Sequence, residues 1–197
     1  RGFSFEKDEI LDMRYDSQSV EEVYDLTGPT AADLLNQLRE EEIADMFKRY
    51  GEERLSKDIA RAICEHRALG NIKSTKELAD IIIQVYKKKL GSKKDIPWIG
   101  GIHPATKVFQ ALRIAVNQEL KMLECVLPQI IDRLEPEGRL AVISFHSLED
   151  GIVKHFFKRQ EGKSLHTLYK KPLQASREEL NRNPSSRSAK LRVAEKL

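Results

Sequence analysis

The residues best suited to chemistry in this sequence form the polar run 144–150, Ser-Phe-His-Ser-Leu-Glu-Asp. It follows the apolar run 140–143, which predicts a strand buried on both faces, as in a parallel sheet. Ligands of open α/β sheets bind beyond the carboxyl ends of strands. A histidine, two serines and two carboxylates there are suited to binding a base edge or moving a proton. The run also fits a helix start capped by Ser147, and the two roles are compatible.

A second polar group stands before a long predicted helix. His103, Thr106 and Lys107 combine a histidine, a hydroxyl and a cation at the helix start. Such a start binds anions through its unpaired amides, or the residues only cap the helix. Both interpretations stay open from the sequence.

Three further groups have an ordinary structural interpretation. Gln110, Arg113 and Asn117 recur at helical spacing, which is typical of a solvated helix face. Residues 50–54, which include Tyr50 and Arg54, are typical of a turn between helices. Two short segments complete the set: residues 12–16, with Arg14, favour an ion-paired loop, and residues 182–192 favour a basic tail.

Hydrophobic periodicity predicts the elements that position these groups. The first half is mostly helical, and the second half alternates helix and strand, which together indicate an α/β protein. Helices are predicted over residues 31–50 with Thr30 as cap, around 55–70, from Ser74 to about 90, and from 104 to about 134 with a bend or break at Pro128. Strands are predicted over residues 140–143, 166–170 and 191–194.

Composition excludes several classes of protein. The 197 residues are 40% hydrophobic, and no apolar run approaches the ~20 residues of a membrane span. Two cysteines, Cys64 and Cys125, form no metal motif and no disulfide framework, so a reducing cytoplasm is expected. The sequence contains no cluster of metal-ligating residues, so no metal site is predicted. It also contains no Gly-x-Gly turn, so no nucleotide-type cofactor site is predicted.

Charge is divided unevenly along the chain. Residues 1–60 hold 8 basic and 16 acidic side chains, whereas residues 61–197 hold 26 and 15. A basic half of this kind is suited to binding a phosphate backbone, and it is also compatible with an ordinary solvated surface.

The short motifs of the chain, in this order, resemble one family. They read RGFSF, LDMR, TAADLLN, YGEER, IARAI, HPAT, FQALRIAVNQEL, GRLAVISFHSLED, IVK and RSAKLRVAEK. They are similar to the bacterial methyltransferases that use S-adenosylmethionine to methylate the N4 amine of a cytosine in small-subunit ribosomal RNA. The resemblance spans nearly the whole chain.

The resemblance implies a Rossmann-like class I methyltransferase fold with an all-helical insert. Residues 1–98 resemble the substrate-recognition insert, and residues 99–197 the C-terminal part of the catalytic domain. The glycine-rich loop for S-adenosylmethionine would precede the RGFSF motif, so Arg1 is expected to be a cut end. The cofactor site is then expected mainly outside this chain, with no cofactor-binding residue in it, and the fragment alone is expected to be inactive.

The implied partner is ribosomal RNA or the small ribosomal subunit, with the oligomeric state left open and no membrane. Ser144 and His146 are the candidate catalytic residues, with Phe145 as an aromatic wall for the base. The candidate substrate-binding residues are Arg14, Tyr50, Arg54, His103, Thr106, Lys107, Arg113 and Asn117, of which the four cations would contact RNA phosphates. A non-catalytic RNA- or protein-binding module is the competing hypothesis.

Overall fold

The chain folds into two compact units, Arg1–Gln118 and Glu119–Leu197. The computed structural model describes residues 1–15, 28–91 and 103–197. The predicted boundary between residues 98 and 99 lies outside the described residues. It separates the expected helical insert from the expected catalytic part, and it stays a prediction. Within the described ranges, no helix is long and apolar enough to cross a membrane.

The first unit is helical in all its regular elements among the described residues. Its helices are α1 (Ala31–Gln37), α2 (Glu40–Gly51), α3 (Ser56–Arg67), α4 (Thr75–Leu90) and α5 (Thr106–Asn117). The predicted caps are confirmed, since the Thr30 hydroxyl accepts from the amide of Asp33 and the Ser74 hydroxyl from that of Glu77. One apolar core, with Phe47 and Leu112 fully buried, holds the helices together.

The predicted helix over residues 31–50 is wrong in one respect, because the chain breaks between α1 and α2. Leu38 and Arg39 are both extended, and the Glu42 carboxylate of α2 accepts from the Arg39 amide at 2.8 Å. The Arg67 guanidinium donates to the carbonyls of Leu35 and Leu38 at 2.6 and 2.7 Å. A cation from α3 therefore satisfies the carbonyls that the break leaves open.

The predicted helix from residue 104 to about 134 also divides, though not at Pro128. Gln118 takes a left-handed conformation with φ 49° and ends α5, after which α6 runs over Glu119–Arg133. Pro128 stays inside α6 on an exposed face. Proline has no amide hydrogen for the carbonyl of Glu124, one turn earlier, and Glu124 is exposed as well.

The second unit is a small antiparallel sheet with helices. After α6 come β1 (Arg139–Ser144), α7 (Ser147–Gln160), β2 (Leu165–Thr167), β3 (Leu173–Gln174), α8 (Arg177–Arg182), a 3-10 helix (Pro184–Ser188) and β4 (Lys190–Lys196). The strand order is β1-β4-β2, and β3 also pairs with β4. Its separate core includes Leu140, Phe156 and Phe157.

The predicted strands are confirmed in place but not in pairing. β1 is antiparallel to β4, whereas its apolar run favoured a parallel strand buried on both faces. Leu140 and Ser144 are buried, while Ala141 and Ile143 are exposed, so only one face is covered. Sequence patterns missed β3 and α8, which are too short to show a period.

Candidate functional site

The carboxyl end of β1 places three candidate residues in sequence. Ser144 is buried, and its hydroxyl donates to the Lys190 carbonyl of β4 at 3.4 Å. Phe145 points outward and is 55% exposed. The aromatic side chain is therefore the accessible member of this group, and the serine hydroxyl lies behind it.

His146, rather than Ser147 as predicted, caps α7. Its Nδ1 accepts from the Glu149 amide at 3.4 Å, and Ser147 is the first helical residue. In return the Glu149 carboxylate accepts from the Phe145 amide at 2.9 Å and from the His146 amide at 3.4 Å. This capping box fixes the backbone on both sides of Phe145.

Glu119 joins this group from α6, and sequence reasoning missed it because it lies 27 positions before His146. Polar atoms of Glu119, His146 and Glu149 all lie within 4.8 Å of one another, a spacing compatible with a metal ion. However, a neutral His146 whose Nδ1 accepts the Glu149 amide carries its hydrogen on Nε2, the nitrogen 3.4 Å from Glu149 Oε1. A nitrogen that keeps this hydrogen has no lone pair for a metal, so a metal ion would have to displace that proton. The three residues therefore form a compact polar cluster.

Asp150 connects the start of α7 to β4. Its carboxylate accepts from Arg192 Nε at 2.7 Å and Nη2 at 3.2 Å, and from Lys190 Nζ at 3.3 Å. The Arg192 hydrogen bond holds the pKa of Asp150 below its ordinary value. The prediction of a basic tail is thus wrong for these two cations, which lie in a strand and form ion pairs with α7.

In the first unit, the end of α2 packs closely against α5. Lys107 Nζ donates to the Glu52 carbonyl at 3.2 Å, and Gln110 Nε2 donates to the Tyr50 carbonyl at 3.0 Å. A Cβ on Gly51 would lie 2.4 Å from the Lys107 carbonyl oxygen. Glycine at this position therefore permits the close approach of the two helices.

The group at the start of α5 is largely occupied by its own contacts. The His103 ring stacks on Phe5 with centroids 4.2 Å apart, and its Nδ1 accepts from the Ala105 amide at 3.1 Å. The Thr106 amide donates to the His103 carbonyl at 3.0 Å. Burial lowers the pKa of His103, which disfavours the charged form of the ring that would attract an anion.

The predicted solvated line on α5 is wrong for Gln110 and Asn117, which are partly buried. Asn117 Nδ2 donates to the carbonyls of Met13 and Arg113 at 2.8 and 2.9 Å, and its Oδ1 accepts from the Tyr15 amide at 2.9 Å. The polar line thus holds other segments against α5.

Arg14 and Arg54 differ in how they are held. Arg14 forms a two-pronged pair with Asp12, at 2.6 and 3.0 Å, as the interpretation of an ion-paired loop predicted. Arg54 is exposed. A phosphate would meet Arg54 directly, whereas it would share Arg14 with a carboxylate.

Sequence reasoning missed Glu53, which is 2% exposed beside Arg54. Its Oε1 accepts from the Leu55 amide at 2.8 Å and from the Tyr86 hydroxyl at 2.7 Å. Burial, followed by this bond to the carboxylate, raises the pKa of Tyr86. Residues 50–54 thus join α2 to α3, as predicted, and Glu53 adds a buried link between that turn and α4.

The candidates thus divide between the two units. Ser144, Phe145 and His146 lie together in the second unit, and the substrate-binding candidates other than Phe145 lie in the first.

Residues 1–197 match the model of the MraW methylase family. The chain belongs to that family. Because the match covers every motif named above, it applies to both units.

Several curated relatives carry the name ribosomal RNA small subunit methyltransferase H. The protein of that name from Coprothermobacter proteolyticus is 49% identical over 198 residues, which is all of this chain and 60% of the relative. Those from Nostoc punctiforme and a Sulfurihydrogenibium species are 50% and 46% identical, with 59% and 62% of their lengths covered. The chain therefore spans about three fifths of the relatives it matches.

Proposed function

We propose that this chain is part of an enzyme that transfers a methyl group from S-adenosylmethionine to the N4 amine of a cytosine in small-subunit ribosomal RNA. The observation that carries the proposal is the family match over the whole chain, together with the name of its relatives. The cytosine and its N4 position come from the resemblance of the motifs. Since ribosomal RNA is the substrate, the location proposed is the cytoplasm.

The second unit is proposed as the C-terminal part of a Rossmann-like sheet. β4 lies between β1 and β2, and among the described residues no strand pairs with the other edge of β1. Ala141 and Ile143 face outward beside that edge. An apolar strand with a bare edge and a bare face is suited to joining a larger sheet. Residues 1–98 are proposed as the helical insert and 99–197 as the catalytic part.

The methyl donor is proposed to bind mainly to the part of the enzyme that this chain does not span. Two features support this: in the part of the chain that the structure describes, β1 leads into the His146 capping box, and no Gly-x-Gly turn occurs in the sequence. The chain by itself is accordingly proposed to be inactive.

The chain's own contribution is proposed to be binding and orienting the cytosine. Phe145 is the exposed aromatic wall, and Ser144 and His146 are the polar groups next to it. A base that reacts must leave its stack and lie against such a wall. The capping box of His146 and Glu149 keeps the wall in place before the base arrives, which favours reaction by orientation.

Contacts to the RNA strand are proposed for the first unit. Arg54 is the exposed cation, Lys107 and Arg113 lie along α5, and Arg14 is held by Asp12. Tyr50, His103, Thr106 and Asn117 complete the substrate-binding set. The contacts of His103, Thr106 and Asn117 support a role in shaping this surface rather than in contacting phosphate.

Replacing His146 with alanine in the longer protein should lower methyl transfer to small-subunit RNA by about tenfold or more. The change removes both the ring beside the base and the cap that orients Phe145. Transfer of labelled methyl groups measures the rate, and calorimetry with S-adenosylmethionine measures donor binding, which should persist. His155→Ala, in the body of the same helix, is the control and should leave the rate unchanged. Equal rates for His146→Ala and the unaltered enzyme would remove His146 from the site.

A further inference from the structure

We propose that Tyr15 is a stacking platform for an unpaired base of the RNA substrate, an inference that rests on the function proposed above. Base–aromatic stacking is tolerant of sequence, because every base has a π-face. Unpaired stretches of RNA offer such faces, whereas the bases of a duplex cover one another.

The ring of Tyr15 has one supported face. It stacks on Phe3, with ring centroids 5.5 Å apart and the planes 19° from parallel. Phe3 is partly buried and packs against the core of the first unit, while Tyr15 is 53% exposed. A ring that is fixed from behind and about half exposed can receive a base on its exposed surface without first being ordered.

The backbone before Tyr15 is held in a strained conformation. Met13 is fully buried with φ 63°, a region that residues with side chains rarely adopt. Its amide donates to the Arg1 carbonyl at 2.8 Å, and its carbonyl accepts from Asn117 at 2.8 Å. Contacts on both sides therefore maintain the turn that directs the next residues outward.

Asn117 is the positioning residue of this platform. Besides the bond to Met13, its Oδ1 accepts from the Tyr15 amide at 2.9 Å, and its Nδ2 donates to the Arg113 carbonyl of α5 at 2.9 Å. Arg1 Nη1 donates to the Tyr15 carbonyl at 2.9 Å. These bonds fix the backbone of Tyr15, and the stack on Phe3 fixes its ring.

Arg14 places a cation beside the ring. Asp12 accepts one hydrogen bond from Nε and one from Nη2, and among the described residues no acceptor takes a hydrogen of Nη1. The pair fixes the plane of the guanidinium and leaves one edge for a phosphate or a base edge. Stacking on an aromatic ring next to such a cation is the usual combination in binding of single-stranded nucleic acid.

The test uses the longer protein and a short unstructured RNA that carries the fluorescent base 2-aminopurine. Binding is followed by anisotropy, and stacking by quenching of the base. Tyr15→Leu should weaken binding by roughly 5- to 100-fold and abolish the quenching. Tyr15→Phe keeps the ring and should retain both. Tyr169→Leu, at a tyrosine of similar exposure in the second unit, is the matched control and should change neither.

Equal affinity and equal quenching for Tyr15→Leu and the unaltered protein would overturn the platform. Asn117→Leu should reproduce the loss seen with Tyr15→Leu while Tyr15 itself is intact, and normal quenching in that variant would contradict the positioning role. Methyl transfer to small-subunit RNA is measured in parallel. Stacking on Tyr15 without transfer would refute the proposed function alone, and transfer without stacking would refute the platform alone.

Discussion

Replacing Asp150 with alanine should destabilise the second unit by about 3–5 kcal/mol. Arg192 is only 8% exposed, and Asp150 accepts two of its hydrogen bonds. Removal of the carboxylate leaves a guanidinium buried without its counter-charge, and that desolvation is not compensated elsewhere. The same change separates the first turn of α7 from β4, so the loop that carries Phe145 should lose its fixed position.

Urea unfolding of the chain gives the free energy, and hydrogen exchange in α7 and β4 assigns the loss to the second unit. Glu178→Gln is the matched control, because it removes the carboxylate of an exposed pair with Arg182, in which the two side chains are 73% and 78% exposed. Solvent screens such a pair, so the control should change stability little. Equal losses in the two variants would show that the Asp150 pair stabilises no more than a surface contact.

The contribution of Asp150 should depend on pH in a defined direction. Its pKa is lowered in the folded state, chiefly by the Arg192 hydrogen bond. A carboxyl group of this kind stabilises the fold fully above its unfolded pKa and loses that contribution as the pH falls through the folded pKa. The stability difference between the unaltered chain and Asp150→Ala should therefore stay constant from pH 7 to about 5 and shrink below about pH 4.

Gly51→Ala should destabilise the first unit by about 1–3 kcal/mol. The new Cβ would lie 2.4 Å from the Lys107 carbonyl oxygen and 3.3 Å from the Ala111 Cβ. Backbone cannot move aside as a flexible side chain does, so α2 must shift away from α5. The hydrogen bonds that Lys107 and Gln110 donate to the end of α2 should weaken with it.

The same substitution at Gly151 is the control for Gly51→Ala. Gly151 lies inside α7, and a Cβ there meets nothing within 4 Å. Because glycine in a helix interior is less favourable than alanine, Gly151→Ala should stabilise by about 0.5–1 kcal/mol. A lower unfolding temperature for Gly51→Ala and a higher one for Gly151→Ala would confirm that the contact with α5, rather than helix propensity, determines the effect of the substitution at Gly51. A stabilised Gly51→Ala variant would contradict the close approach of α2 and α5.

Much of the secondary structure could be predicted from the sequence, because periodicity and caps are local. α4, with its Ser74 cap, is an example. The two helix breaks could not, since each depends on a distant partner or on the left-handed conformation of a residue with no particular preference for it. Arg67 satisfies carbonyls more than 25 positions earlier, and Gln118 turns where a glycine would be expected.

Strand pairing and the roles of the site residues also depend on distant partners, so they could not be predicted from the local sequence. A short apolar run such as residues 140–143 fixes neither the direction of its partner nor whether one face stays bare, because that depends on β4 some 50 positions later. The polar run 144–150 could be found as a group, but not the roles within it. His146 is the cap because its backbone is extended, and Asp150 is an ion-pair partner because β4 brings Arg192 to it.

The most direct test of the central claim is the identity of the methylated nucleoside. Small ribosomal subunits from cells that lack the full-length enzyme are incubated with that enzyme and labelled S-adenosylmethionine, and the RNA is digested for mass spectrometry. The proposed function predicts label in cytidine methylated at N4, from small-subunit RNA only, and none when this chain alone is added. Label in another nucleoside, label in large-subunit RNA, or no label with the full-length enzyme would contradict it.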